Sequence, residues 1–454
     1  MTRLLTALGI FCCLAYMATG ATYHIDPEAD PDGGDGTEEH PWVSWDDVAM
    51  EPGNVYLQKR GTACEASQIV LASDVSLGAY GVGPDPQITM TAEEPDKGIT
   101  AWRCEGIAVR NLDVAAPDAV SAFCFTECKD VLIESCVARD SHWGIRILGG
   151  CEDVRILGTV VHDIQDDGIF TQWTEGIEIA RCTVYNVNTN FKFPYTSQEE
   201  AGGDGIQLSN CDDWHVHHNL IDRTNSGNKF CFISNDEQTH GVLEHNWLRG
   251  PLAAGDGGST LYFGHGGSGV VVRHNLVEGQ APSAIWHHTA GLEVYGNAFI
   301  GHPTGVHSYG PEPISEIRDN LFFGVAEPAV GDHFELTDNL VIASPEESPQ
   351  HLLVFIPHTP GEPGNLRALV IDGESGDADP DLGLSGEVAE DAELLILDDD
   401  DTLAHLSVEG SVLQVDGTRM ARLKVTEGDD DLLGPGGLAA LWTDGEMMVV
   451  VTGE

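Results

Sequence analysis

A lysine beside two carboxylates is the most reactive arrangement in this sequence. The chain has 21 Lys and Arg against 74 Asp and Glu, so a cation in such company is uncommon. Asp167, Asp204, Lys229 and Ser259 fall at one position of successive repeats. Stacked at strand spacing, they would stand roughly 5 Å apart. An amine there could take a proton, and Asp167 with Asp204 could hold a hard cation through oxygen ligands. The two roles depend on each other. Neighbouring carboxylates raise a lysine pKa, whereas a base needs it lowered, so Lys229 serves as base only if a bound cation cancels those charges. Without the cation it is an electrostatic stabiliser. Arg223, Lys192, Arg146 and Tyr195 are the candidates to bind an anionic group or supply a proton. The bland alternative is a solvated ion-pair ladder at the strand edge.

Three residues after that column comes a second one. It reads Arg146, Phe170, Gln207, Phe232, Tyr262, Trp286 and His307, and strand alternation turns it outward. Four of the seven are aromatic, a composition suited to stacking on sugar rings, and exposed apolar patches usually mark binding sites. His265, in Gly264-His265-Gly266, joins them as a binding candidate. The other reading is that long loops cover this stripe and make it core.

These positions derive from a repeat. Asn219, Asn246, Asn275, Asn297, Asn320 and Asn339 recur at gaps of 19 to 29 residues, and a period of that size signals a solenoid. Cys182, Thr159 and Cys136 continue the column backwards, with Asn111 at its head. A second column about eight residues upstream (for example Cys104, Cys128, Cys151, Thr174 and Cys211) and a preceding short strand such as Gly205-Ile206-Gln207-Leu208 complete each unit. Three short strands joined by turns make one coil of a parallel β-helix. An inward Asn at the same turn of each coil can satisfy its neighbours' amides. The interval lengthens to 37 residues between Cys182 and Asn219. The extra segment, 188–203, holds Lys192, Phe191, Phe193 and Tyr195. Insertions that break a repeat gather on one face, often the binding face.

The opening segment makes the resemblance specific. Gly34-Asp35-Gly36-Thr37, Pro41-Trp42, then Pro52-Gly53-Asn54 with Lys59-Arg60-Gly61, then Gly78-Ala79-Tyr80-Gly81, resemble the amino-terminal segment of secreted right-handed parallel β-helix proteins of the pectate-lyase-like superfamily. The resemblance covers roughly residues 22–345 and is specific for fold, since the superfamily hosts many activities. It implies an all-β, three-sheet right-handed β-helix whose Asn ladder lies between the second and third sheets. It also implies a groove walled by the loops from the third strand of one coil to the first strand of the next. Many members are polysaccharide lyases or glycoside hydrolases. A lyase removes the C5 proton of a uronic acid and expels the group at C4. Similar lyases use Lys or Arg as base and calcium to neutralise the carboxylate, which implies Lys229 as base and calcium at Asp167 and Asp204.

Gly227-Asn228-Lys229-Phe230-Cys231-Phe232 after Gly203-Asp204-Gly205 resembles uronan-lyase-like β-helices. Ser209-Asn210-Cys211 and Gly264-His265-Gly266 depart from the chondroitinase-B and alginate-lyase pattern in lacking its Lys and Arg. The expected activity is β-elimination on an alginate-, glucuronan- or pectate-like polysaccharide. A hydrolase using a pair among Asp166, Asp167, Asp204, Asp236 and Glu237 is the alternative, as is a non-catalytic glycan-binding surface protein.

Composition bounds the rest. Arg3, an apolar run from Leu4 to Met17 and small residues at 18–21 read as a signal peptide over 1–20, so export is expected. The later sequence has no run long enough for a membrane span. A net charge of −53 and a pI of about 4.3 leave no basic face for nucleic acid. Eleven Cys and no Cys-x-x-Cys argue for buried thiols rather than a zinc site, although Cys104, Cys128 and Cys151 could offer one bridging pair. Residues 21–100 read as cap and first irregular coils, with a short helix within 42–50. Residues 101–345 read as the β-helix, and 346–454 as an acidic β-rich module. The expected molecule is a monomer acting on acidic polysaccharide without an organic cofactor.

Overall fold

The computed structural model describes residues 20–93, 96–189, 202–223, 230–235, 239–250, 258–264, 266–337 and 339–342, together with strands between 351 and 449. The signal-peptide segment, Lys192, Tyr195, Lys229, Asp236, Glu237 and His265 lie outside the described residues, as does most of the inserted segment.

Strands of two to six residues alternate with tight turns and stack in parallel into three sheets. Among the described residues, the first sheet runs from Ile69–Val70 to Glu327–Gly331 and the second from Thr22–Ile25 to Phe334–Thr337. The third runs from Ala63–Ala66 to Leu340–Ile342. Each coil visits the sheets in that order, as in Trp143–Leu148, Glu152–Leu157 and Val160–Ile164. The fold is a right-handed parallel β-helix. Its coils begin at Thr22, so much of the segment expected as cap already pairs within the second sheet. The short helix is a 3-10 turn, Trp45–Asp47, capped by the Ser44 side chain.

Alternation fills the lumen with Ile145, Ile147, Ile156, Ile169, Ile206 and Leu208, all fully buried. The Asn ladder closes the corner between the second and third sheets. Asn219 Nδ2 donates to Asn246 Oδ1 at 2.9 Å, Asn246 to Asn275 at 2.9 Å and Asn275 to Asn297 at 3.0 Å. Each Oδ1 also accepts the preceding ladder residue's backbone N–H, as Asn297 does from Asn275 at 2.9 Å. Cys182, Thr159 and Cys136 do continue the column: Cys182 N–H donates to Asn219 Oδ1 at 2.8 Å and Cys136 N–H to Thr159 Oγ1 at 3.4 Å.

The head of the column is corrected. Val137 N–H pairs with Leu112 carbonyl, so Leu112 holds the ladder position. Asn111 takes the preceding corner with φ +54°, where Ser135, Arg181, His218, His245 and His274 follow it. Nine cysteines among the described residues are free thiols, seven of them buried.

Beyond residue 350 the pairing turns antiparallel. His351–Pro357 pairs with Leu366–Asp372, and a second sheet runs from Glu393–Asp398 to Met448–Val449. Among the described residues no helix is long and apolar enough to cross a membrane.

Candidate functional site

The outward column of the first sheet is fixed by strand register. Cys124 pairs with Thr100 and Arg146, Arg146 with Phe170, Phe170 with Gln207, and Gln207 with Ile233. Ile233 pairs with Tyr262, Tyr262 with Trp286 and Trp286 with His307. Six of the seven expected residues hold their place. Phe232 does not: it pairs with Ile206 and Leu261, is fully buried, and packs on Trp214 and Phe263 at ring-centroid distances of 5.4 and 5.8 Å. The strand begins one residue later than expected, and a one-residue slip exchanges faces.

The same slip moves the chemical column. Counting three residues back from the corrected positions gives Trp143, Asp167, Asp204 and Phe230. Phe230 thus holds the position next to Asp204 expected for Lys229, and Lys229 itself lies outside the described residues. The Phe230 N–H donates to Asp204 Oδ1 at 2.9 Å. Asp204 N–H in turn donates to Asp167 Oδ1 at 2.7 Å. Both carboxylates are about 95% buried, at 5% and 4% exposure. Each gives one oxygen to fastening the next coil. Gly168 and Gly205 follow them because the backbones nearly touch: a Cβ at Gly168 would lie 2.7 Å from Gly205 carbonyl O.

Other charged groups crowd this corner. His142 Nε2 lies 3.8 Å from Asp166 Oδ2, and the His142 ring stacks on Trp143 at 3.9 Å. The Arg146 guanidinium also sits over the Trp143 ring, 4.3 Å from its centre. Burial raises the Asp167 carboxyl to about 6, against the opposing pull of the Asp204 amide, Arg223, the Trp143 indole and Arg146. A group near neutrality in a buried charged cluster is suited to acid–base work.

Arg223 is fully buried and donates from Nη2 to Gly203 carbonyl O at 2.7 Å. Its Nε and Nη1 have no hydrogen-bond partner among the described residues. Expected as a group that binds substrate or supplies a proton, it is buried beneath the corner, where this hydrogen bond ties it to the residue before Asp204. Burial lowers its pKa while Asp204, Asp167 and Asp166 oppose the shift.

Arg146, by contrast, is half-buried on the outer face, and its Nε is unpartnered among the described residues.

Calcium would need six to eight oxygens. Asp167 and Asp204 each commit one oxygen to a backbone amide, and among the described residues no three His, Cys, Asp or Glu side chains gather into a metal-binding group. Asp167 and Asp204 by themselves do not supply that ligand set among the described residues.

Further along the groove an aromatic patch continues the stripe. Tyr262 and Trp286 lie 6.1 Å apart, Trp286 and His307 6.0 Å, and His307 and Tyr309 4.4 Å. His288 stacks on Tyr309 at 5.5 Å. His288 and Tyr309 were not among the expected residues, though a two-residue step along the strand from Trp286 and His307 leads to them. Trp143 was equally within reach, because it holds the Asp167 position one coil earlier. Nothing in the sequence marks His142.

The face has one more property. The outward positions run Thr100, Cys124, Arg146, Phe170, Gln207, Ile233, Tyr262, Trp286 and His307. Beside them run Trp102, Thr126 and Leu148, then Gln172, Ser209 and Asn235, and later His288 and Tyr309. None of these is Asp or Glu, in a chain with 74 of them; the last coil of the sheet ends the run, with exposed Glu327 pairing with Thr304 and Asp332 following Gly331. The second sheet's outer face carries Glu105, Glu134, Glu152, Glu175, Glu178 and Glu244.

Residues 97–299 match the family model for a right-handed β-helix region. No curated protein matches the chain in sequence. Among solved structures, a GH136 lacto-N-biosidase from Eubacterium ramulus is 13% identical with a TM-score of 0.45, covering 71% of this chain and 68% of its own. The A-module of mannuronan C-5 epimerase AlgE4 from Azotobacter vinelandii is 14% identical at 0.45, covering 62% and 90%. Pectate lyase Pel9A is 12% identical at 0.46, covering 71% and 80%. These likenesses concern the β-helix alone.

Proposed function

We propose that the protein is an exported polysaccharide lyase that binds a uronic-acid polymer along the outer face of the first sheet and cleaves it by β-elimination. The observation that carries this reading is the run of outward positions from Thr100 to His307 without a carboxylate, on so acidic a chain. A polyanion approaching the second sheet's outer face meets carboxylates such as Glu105 and Glu175, whereas this run offers Arg146, amide and imidazole groups, and aromatic rings.

In this scheme Arg146 pairs with the uronate carboxylate, which acidifies the C5–H. A base takes that proton, the electron pair forms the C4–C5 double bond, and the C4–O bond breaks. The leaving oxygen is protonated by an acid. Asp167, raised to about 6, is the acid–base group of the described cluster. Lys229, one residue before Phe230, is the proposed base where a bound cation offsets Asp167 and Asp204, and an electrostatic stabiliser otherwise. Tyr195 and Lys192 remain proposed partners of the substrate, and His265 a binding residue. The Tyr262–Tyr309 patch stacks sugar rings further along the chain.

The test is ultraviolet absorbance of the unsaturated uronate product during incubation with alginate, glucuronan, polygalacturonate or chondroitin, run with and without EDTA. Unsaturated product supports the lyase. Reducing ends without unsaturation would favour the hydrolase reading, for which the buried Asp166, Asp167 and Asp204 cluster is the motivating observation. Loss of activity in EDTA would restore calcium to the mechanism. Lys229→Ala with wild-type rate would remove Lys229 as base.

A further inference from the structure

Trp173 is held in an uncommon way. It occupies the corner between the first and second sheets with φ +54°, in the left-handed region. The same corner is filled on neighbouring coils by Arg103, Glu127, Gly149 and Asn210, with φ of 55°, 52°, 73° and 52°. Glycine and asparagine tolerate that backbone, while a bulky aromatic residue there is a conformational outlier. The coil imposes this backbone on whatever residue takes the corner; what sets Trp173 apart is that a large aromatic residue placed there is 56% exposed.

Trp102, also exposed at 60%, differs in being partnered. Its indole N–H donates to Glu127 Oε1 at 3.3 Å and Arg103 covers its ring at 4.4 Å.

The ground beside Trp173 is open. The preceding coil brings Gly149 and Gly150 to this corner, and a Cβ on Gly150 would meet only the Trp173 carbonyl O, at 3.7 Å. Trp173 follows directly on Gln172 of the groove face and shares its coil with Phe170 and Asp167. An exposed indole therefore stands at the edge of the first sheet's outer face, on the coil that carries the buried carboxylate, next to Gly150, with the Glu127 and Thr126 side chains reaching only as far as Gly149.

We propose that Trp173 is a sugar-stacking subsite, which grips a pyranose ring of the glycan where the chain crosses from the groove face onto the Gly149–Gly150 corner. This rests on the glycan-binding reading above and adds to it a residue and a place. One face of an indole offers the apolar surface that the C–H face of a sugar requires, and Gly150 leaves space for the ring.

Trp173→Asn tests it. Asn210 already holds the same position with the same backbone, so the substitution suits the fold. The measurements are retardation of the full chain in gels containing alginate or polygalacturonate, and thermal unfolding. The expected result is affinity weakened about five- to ten-fold with the melting temperature unchanged or higher, and partial recovery of affinity in Trp173→Phe. Wild type and Trp173→Asn retarded equally would overturn the subsite alone. So would a lower melting temperature in Trp173→Asn that Trp173→Phe restores while affinity stays at the wild-type value, because that pattern belongs to packing. Wild type retarded by neither polymer would overturn the glycan reading, and the subsite with it.

Discussion

At the scale of single residues, the account turns on Arg146 and Asp167. Arg146 is the cation of the described groove face, and its Nε lacks a partner among the described residues. Arg146→Ala should lower kcat/KM on a uronan by roughly 100-fold, equivalent to about 3 kcal/mol of charge-assisted contact, and leave the melting temperature within a few degrees. Steady-state kinetics beside thermal unfolding checks this.

Burial raises the Asp167 carboxyl in the folded state to about 6, from an ordinary value of 3.8. The folded state therefore binds the proton more tightly. This group's contribution is fully present below pH 3.8 and is lost as pH rises through 6. Asp167→Asn keeps an oxygen for the Asp204 amide and removes the charge. It should raise stability by roughly 2 kcal/mol above pH 6 and by little near pH 4, while activity falls steeply. Denaturant unfolding at the two pH values decides it; equal effects at both would remove the buried-charge explanation.

At the scale of elements, the Asn ladder and the strand register were legible in the sequence to different degrees. The ladder stands out because asparagine recurs at one turn of six successive coils, from Asn219 to Asn339. Its Nδ2–H and Oδ1 must be met by neighbouring coils. Asn275 alone donates to Leu243 O, Arg273 O and Asn297 Oδ1 at 2.8, 2.9 and 3.0 Å. Asn275→Ala leaves those buried acceptors and the Asn246 donors unmet and should cost about 3 kcal/mol, read as a lower denaturation midpoint.

The slip at Phe230-Cys231-Phe232-Ile233 has an equally physical origin. Four apolar residues in succession carry no period-two signal, so either pair could face the lumen. Asn111 misled for a related reason: asparagine suits the left-handed corner as well as the ladder. The corner cluster was only half legible, since Asp167 and Asp204 stand out by repeat position whereas the burial of Arg223 depends on how the coils close over it.

Two buried histidines add a pH signature at this scale. Burial lowers His287 to about 4 and His302 to about 3, from 6.5. Their contribution is fully present above pH 6.5 and is lost as pH falls through the folded values. Each should add up to about 1.4 kcal/mol per pH unit to the slope between pH 4.5 and 6, partly offset by Asp167. His302→Gln should flatten that slope while keeping a partner for Thr260 Oγ1, now 2.8 Å from His302 Nε2.

At the scale of the whole molecule, charge distribution is the determining feature. A formal charge of −53 repels a polyanion at long range, and the run from Thr100 to His307 without a carboxylate relieves that repulsion only at contact. Salt should therefore help. With a screening length near 8 Å at about 0.15 M ionic strength, kcat/KM on a uronan should rise from low salt toward that value, the reverse of an enzyme with a basic groove. A steady decline with salt would mean that attractive charge contacts dominate.

The central claim is that the first sheet's outer face is where an anionic glycan is bound and cut. Unsaturated-uronate absorbance compared between wild type and Arg146→Ala, on the same polysaccharide, tests it most directly. The account predicts product from wild type and almost none from a stably folded Arg146→Ala, and equal product from both would contradict it.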